Sequence, residues 1–348
     1  MIKNLKKKVG IAGFGVVGKR RREFITKMAE LDLVAVCDQN FKRSGKFEDG
    51  VTYFTNYKEL ISQDLDILFV CMSNDMAAEV TKAGLNRDFH VFCEKPPARN
   101  LREMGEVIEC EKNKPSLKLK YGFNHRYHTS VKDALEIVDS GYMGKVINLR
   151  GVYGKSQLIT FGKDHDWRTS RKIAGGGILL DQGIHIVDLM RLFGGEFTHV
   201  NSIISNRYWN HDVEDNAYAL MKTENGVVAM LHSSATQWRH SFSLEITLDK
   251  GLLILSGILS GSKSYGSETL RIIERKGDDR GEPIEDYREY SMDPSWKDEI
   301  DEFVDAVIKN QKVINGNSQD AFRTMSLVYD IYCADAEWRD KWNLNNNF

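Results

Sequence analysis

The chain opens on a repeating pattern of short apolar runs separated by longer amphipathic stretches. Val9–Ala12, Leu33–Cys37, Ile67–Cys71, Val91–Cys93 and Lys118–Gly122 have the continuous apolar character of strands covered on both faces. Helical spacing falls between them, around Gly18–Ala29, Tyr57–Ser62, Ala77–Leu85 and Leu101–Asn113. This alternation predicts a parallel sheet with crossover helices. After Asn124 it stops. A helix is predicted over Ser130–Ser140, a strand over Val146–Tyr153 and a helix over Ile178–Phe193, with an irregular Gly-rich stretch up to Gly177 before it. Strand-like runs follow at His199–Ile204, Asn216–Met221, Val227–Ala235, Ser241–Leu248 and Gly251–Ser256. Turn signals such as Asn225-Gly226 and Asp249-Lys250-Gly251 join them and predict antiparallel pairing. Trp296–Lys309 and Gln319–Arg339 close the chain as amphipathic helices. The expected domains are therefore 1–124 and 125–348.

Composition adds bounds to this picture. The 348 residues suit two domains at about 100 to 200 residues each. Apolar residues at 41% and charged residues at 28% are ordinary for a globular protein. A net charge of -2 provides no field for a polyanion, so no nucleic-acid partner is expected. The longest apolar runs, Leu65–Met72 interrupted by Asp66 and Gly251–Leu259, fall short of the roughly 18 residues of a membrane span. No membrane contact is expected. Basic residues precede Gly10 without an apolar stretch of signal-peptide length, which leads to a cytoplasmic expectation. Cys37, Cys71, Cys93, Cys110 and Cys333 show no C-x-x-C spacing and read as free thiols. No histidine pair has metal-ligand spacing with an evident third ligand, so no metal is expected.

Gly13-Phe14-Gly15-Val16-Val17-Gly18 follows an apolar strand directly and opens a helix, the setting in which G-x-G-x-x-G has meaning. Gly13 permits the tight turn, Gly15 allows a pyrophosphate to approach the backbone, and Gly18 allows close packing of helix on strand. The helix N-terminus offers N–H groups to the anion. Asp38 ends the second strand, where a carboxylate accepts from an adenosine ribose and repels a 2′-phosphate. NAD is thus expected over NADP, with Lys42 and Arg43 close enough in sequence to pair with a phosphate. The bland alternative for Asp38 is a turn cap, and Lys19–Arg22 reads as a solvated helix face.

Two further motifs carry a resemblance. Val91-Phe92-Cys93-Glu94-Lys95-Pro96 closes a strand, and Gly175-Gly176-Gly177-Ile178-Leu179-Leu180-Asp181-Gln182-Gly183-Ile184-His185 stands far downstream. With the glycine motif they make the chain resemble the Gfo/Idh/MocA oxidoreductases, from Val9 to about Gly257. The resemblance implies an N-terminal Rossmann NAD(P)-binding domain and an α+β domain with a mostly antiparallel open sheet. It implies that Lys95 lies beside the nicotinamide and substrate, that Pro96 follows a cis peptide bond, and that Asp181 and His185 face Lys95. Ser73 and Asn74 match a post-strand position near the cofactor, and Glu94 belongs to the same cofactor segment. Ala77 stands where many members have His, and His125, in Tyr121-Gly122-Phe123-Asn124-His125-Arg126, stands where Arg is frequent. Self-association through the outer face of the sheet, as a dimer or tetramer, is also implied.

Asp181 and His185 are spaced i, i+4, which on an α-helix places them on one face, and Asp188 continues the stripe. Leu179, Ile186, Met190 and Phe193 occupy the other side. The alternative is a surface stripe with an Asp–His contact. Oxidation of a secondary alcohol needs a base, a positive charge near the developing alkoxide and a hydride acceptor. His185 suits the base, since a free imidazole titrates near about 6.5. Lys95 suits the charge. Asp181 can orient His185 or bind a substrate hydroxyl. A cleft between the domains is expected to bring the three together. Arg126, Tyr153, Trp167 and Arg168, with Trp209, Gln237 and Trp238, are weaker substrate candidates. The expected activity is hydride transfer between a nicotinamide and a sugar, cyclitol or nucleotide sugar. An enzyme that recycles NAD within each turnover, such as a glycosidase or epimerase, and a non-catalytic cofactor-binding regulator are the competing readings.

Overall fold

The computed structural model describes residues 6–158, 167–277 and 280–346. The chain divides into two compact units. The first begins with β1 (Lys7–Ala12), α1 (Val16–Ile25), β2 (Leu31–Cys37) and two short strands, β3 (Gly45–Lys46) and β4 (Thr52–Phe54). It continues through α2 (Tyr57–Ile61), β5 (Ile67–Val70), α3 (Asn74–Asn86), β6 (His90–Glu94), α4 (Leu101–Lys112) and β7 (Leu119–Gly122). The sheet order is β3-β4-β2-β1-β5-β6-β7, and only the β3–β4 pair is antiparallel. Without β3 this is the doubly wound order, which reverses direction between β1 and β5 and opens its ligand crevice at their carboxyl ends. Two crossover helices start on side-chain caps: Asn56 accepts from Glu59 N–H and Asn100 from Glu103 N–H.

The second unit contains α5 (Thr129–Asp139), β8 (Val146–Gly154), α6 (Arg171–Ala174), α7 (Ile184–Gly194), β9 (Phe197–Ser205), β10 (Asn216–Thr223) and β11 (Val228–Ser234). β12 (Ser241–Leu248), β13 (Gly251–Ser256), β14 (Glu268–Glu274) and β15 (Ile284–Tyr290) complete its sheet. The order is β15-β14-β13-β12-β8-β11-β10-β9, antiparallel throughout except for the parallel β8–β11 pair. α7 packs on β8 at Gly151, where a Cβ would stand 2.4 Å from the Met190 side chain. The stretch Arg171–Gly194 is long and apolar enough to cross a membrane but is 83% buried within the fold, as a core helix is.

The structure departs from the sequence expectations in several places. The second domain does not run unbroken to the C-terminus, because Trp296–Arg323 joins the first unit. The reason is α8 (Ser295–Ile308), whose Ile300, Phe303, Val304 and Val307 recur at helical spacing and fill the face of the parallel sheet against Phe69 and Phe92. The predicted helix Gln319–Arg339 is two helices, α9 (Ser318–Ala334) and α10 (Ala336–Trp342), separated at Asp335, which caps α10 by accepting from Trp338 N–H. β3, β4, β14 and β15 have no counterpart in the predicted strands. Finally, the Lys19–Arg22 run is not a uniformly solvated face, since Arg21 is completely buried.

Candidate active site

In the first unit the glycine turn is built for an anion. Gly13 has a φ of +90°, and a Cβ there would lie 2.2 Å from the Cys71 carbonyl oxygen. A Cβ on Gly18 would lie 2.0 Å from the Gly13 carbonyl oxygen, so helix and turn meet backbone to backbone. Gly15 is different: among the described residues other than its chain neighbours, no atom lies within 4 Å of the place its Cβ would take, so the backbone there is open to a group outside the chain. The open space beside the first turn of α1 therefore fits the pyrophosphate of a dinucleotide. Phe14 is buried, whereas Val16 and Val17 begin the helix, Val16 being largely exposed.

Asp38 is a turn cap, the alternative the sequence offered, and reaches the glycine turn as well. Its Oδ2 accepts from Phe14 N–H at 2.8 Å, and its Oδ1 accepts from Asn40 N–H at 2.8 Å and Asn40 Nδ2 at 2.7 Å. It caps its own turn and braces the glycine turn at once. Beyond it opens a cavity of about 800 Å³ whose walls include Arg22, Asn40, Phe41, Lys42, Arg43 and Tyr53. Across the sheet, Ser73 precedes α3 and donates to Asp75 Oδ1 at 2.6 Å, with Asn74 buried behind it. Ala77, in place of the expected His, is buried on the same helix. Glu94 ends β6 in an ion pair with Arg21, Lys95 is half-buried, and the Lys95–Pro96 peptide is cis as expected. Burial pushes the Cys37 and Cys93 thiols up to about 12 and the Cys71 thiol well up, and all five cysteines are free.

In the second unit the glycine-rich segment leads into a π turn, Leu179–Gly183, before α7 begins. The wider i→i+5 turn changes the helical phase between Asp181 and His185, whereas His185 and Asp188 both lie on α7 and keep their α-helical spacing. Each finds its own partners. Asp181 pairs with Lys155 Nζ and Arg168 Nε, both at 3.4 Å. The His185 ring stacks on His125, with centroids 3.7 Å apart and planes inclined by 13°. Asp188 is fully buried and takes Arg126 in a two-pronged pair at 2.7 and 2.6 Å, together with Thr324 Oγ1 at 2.9 Å. The stripe is thus part of the interior and not a surface feature.

Around this core, His125 Nε2 lies 3.0 Å from Tyr153 Oη and its Nδ1 lies 3.2 Å from Asn124 Oδ1. Burial pushes the Tyr153 hydroxyl well up, so it remains protonated at neutral pH. The Arg168 guanidinium lies 4.3 Å from the Trp167 ring centroid. Trp209 is tied inward through Nε1 to the Ala235 carbonyl at 2.8 Å, Gln237 packs on Gly154, and Trp238 is 65% exposed beside Tyr208.

Three participants went unnoticed in the sequence. Lys155 stands just after β8, the same strand-end placement that drew attention to Lys95, and could have been found by that signal. Tyr265 hydrogen-bonds Gln182 in the π turn and has its hydroxyl pushed up to about 12 by burial. Glu214 had no local signal. It is fully buried and accepts from Gly177 N–H at 2.8 Å, Leu179 N–H at 3.0 Å and Tyr332 Oη at 2.6 Å. A carboxylate at the start of the helical segment satisfies donors that the helix itself cannot. It also explains the glycines: a Cβ on Gly177 would lie 2.1 Å from the Glu214 carbonyl oxygen, and one on Gly176 2.4 Å from Tyr332 Oη.

A doubly wound sheet, an anion-ready glycine turn and a strand-end acid together define an NAD-binding oxidoreductase. Residues 7–123 match the model of the oxidoreductase family with an NAD-binding Rossmann fold, and residues 131–254 match the GFO/IDH/MocA C-terminal domain. The chain belongs to the GFO/IDH/MocA oxidoreductase family. It is 24% identical over 270 residues to inositol 2-dehydrogenase of Salmonella typhimurium, covering 73% of this chain and 75% of that one. It is 26% identical over 250 residues to D-glucoside 3-dehydrogenase of Escherichia coli, covering 65% and 70%. The fold matches that of levoglucosan dehydrogenase in complex with NADH, with a TM-score of 0.81, 19% identity and coverage of 96% and 98%.

Proposed function

We propose that this protein oxidises a secondary alcohol of a polyhydroxylated substrate, a sugar, a cyclitol or a nucleotide sugar, with NAD preferred over NADP. Family relatives named for inositol, D-glucoside and levoglucosan support that substrate class. The observation that carries the reading is Asp181, a carboxylate held by Lys155 and Arg168 in the turn that leads to His185. Such a set offers paired donors and acceptors to neighbouring hydroxyls.

Gly15, in the turn that Gly13 and Gly18 shape, would receive the pyrophosphate, Asp38 would hold the ribose, and Ser73, Asn74 and Glu94 would line the remaining cofactor segment. When bound, the nicotinamide supplies the hydride acceptor. His185 takes the hydroxyl proton, and its charge as it does so is spread against the face of the His125 ring. Lys95 stabilises the alkoxide as it forms. Asp181 accepts from a neighbouring substrate hydroxyl, and Arg168 and Trp167 flank it.

The test is a panel of sugars, cyclitols and nucleotide sugars followed by absorbance in the nicotinamide band. Net NADH formation is expected with at least one of them. Lys95→Ala and His185→Ala should each lower turnover by roughly 10² to 10⁴, with little change in NAD affinity. Turnover should fall on the acid side as the base protonates, and that limb should vanish in His185→Ala. Product formation without net NADH would indicate an internally recycled cofactor, and near-normal turnover in both variants would indicate a regulator.

A further inference from the structure

Arg21 lies on α1, one turn past the glycine motif, and is completely buried. Its guanidinium lies between two aromatic faces, 4.4 Å from the Phe92 centroid and 4.4 Å from that of Trp296. Nε donates to Glu94 Oε1 at 2.6 Å and Nη2 to Glu299 Oε2 at 2.7 Å. One cation thereby ties α1, the end of β6 and α8. The space is kept for it: a Cβ on Gly122 would lie 3.0 Å from Glu94 Oε2 and 3.3 Å from Arg21 Nη2. The other titratable groups facing the cluster are Cys71, beyond β5, and Lys120 on β7, itself paired with Glu302 at 2.9 Å.

Stability alone is a poor reason for this cluster, because a buried ion pair rarely outperforms well-packed apolar side chains of similar volume. What it provides is geometry. The residue that follows Glu94 is Lys95, so the backbone that carries the Glu94 carboxylate also sets where the long Lys95 stem begins.

We propose that Arg21, gripped by Glu299 and stacked between Phe92 and Trp296, is a positioning residue that fixes the Glu94 carboxylate and with it the turn carrying Lys95. The inference rests on the reading of Lys95 given above. A forked guanidinium can hold two carboxylates in one plane, and an ammonium cannot. Burial pushes the Glu299 carboxyl up to about 7, while Arg21 is held charged by its two carboxylate neighbours. Protonation of Glu299 removes one of the two anions that oppose Arg21.

Arg21→Lys tests this, because it keeps the charge and removes the fork. The expected result is a 10- to 100-fold lower kcat, the scale set by small misplacements of a catalytic group. NAD affinity by calorimetry should move less than about threefold on that view, since no cofactor contact is lost. In a Lys95→Ala background the same substitution should cause no further loss. Glu94→Gln is the second variant, keeping the side-chain volume, and should show the same loss, with NAD affinity measured beside it because Glu94 also lines the proposed cofactor segment. With ¹³C-labelled glutamate, Glu299→Gln should remove one carboxyl resonance that titrates near neutral pH. It should also shift the pH dependence of kcat in the presence of Lys95 only. Unchanged kcat in both Arg21→Lys and Glu94→Gln, or losses that persist undiminished in the Lys95→Ala background, would overturn the proposal. Normal turnover of Lys95→Ala itself would remove the reading of Lys95, and this proposal with it.

Discussion

Asp38 shows how much one side chain in this chain is asked to hold. An ionised carboxylate has about four acceptor positions. Asn40 occupies Oδ1 with two donors, and Phe14 N–H takes one place on Oδ2, so room for a ribose hydroxyl remains there. On the proposed assignment, removing the side chain would cost a direct cofactor bond and would also free the backbone of the glycine turn. Asp38→Ala should weaken NAD by roughly tenfold or more, since a hydrogen bond to a charged group contributes about 1.5 to 3 kcal/mol. NADP should lose less, because the repelling charge leaves while Lys42 and Arg43 stay in the cavity wall beyond it. Calorimetry with both dinucleotides reads the two effects. Tighter NADP than NAD binding to the unmodified protein would reverse the assignment.

Among secondary-structure elements, legibility followed periodicity. β5 and β6 were readable because they are nearly unbroken apolar runs, and β10 to β13 because more and less buried positions alternate, whereas the parallel strand β4, three residues long, carried no such signal. β15 was not, since Ile284–Tyr290 is mostly exposed at the sheet edge and carries no alternation to read. The π turn was invisible for another reason: it depends on Glu214, whose backbone and carboxylate meet Gly177 from a distant stretch of chain. Arg21 was misread because a basic run looks solvated until its buried partners are known. The glycine motif, Asp38, Lys95, Asp181 and His185 could be singled out from local sequence, and Lys155 carried the same strand-end signal unread, whereas Glu214 needed the fold. One face of the second unit's sheet also argues for self-association. Ile203, Leu220 and Met230 are 68%, 52% and 54% exposed on neighbouring strands, with Leu220 directly opposite Met230. Such a stripe marks a contact surface, and a second copy of this chain is the proposed occupant. Leu220→Arg with Met230→Arg should lower the mass found by light scattering at micromolar concentration without lowering the unfolding temperature of the released protomer. A single-protomer mass in the unmodified protein would count against the assembly.

For the molecule as a whole, the buried groups of the first unit predict how stability depends on pH. Glu299 has an ordinary carboxyl value of 4.5 and is pushed up to about 7 in the folded chain, chiefly by burial. Between those values the folded state binds more protons than the unfolded state, so this contribution is fully present below 4.5 and is lost as pH rises through 7. At about 1.4 kcal/mol per pH unit the span corresponds to on the order of 3 kcal/mol. His90 acts in the opposite direction. Burial, aided by Lys7 and Lys118, holds its imidazole down at about 4 against an ordinary 6.5. Its contribution is present above 6.5 and is lost as pH falls through 4. The two slopes oppose each other in mildly acidic solution, and above 6.5 only the Glu299 decline continues. Comparing Glu299→Gln with the unmodified chain isolates the carboxyl, because His90 is common to both. In urea titrations the variant should gain stability relative to the unmodified protein as pH rises from 5 to 8, by on the order of 3 kcal/mol. A difference between the two proteins that stays constant over that range would mean that Glu299 is already ionised when folded, with Arg21 outweighing its burial.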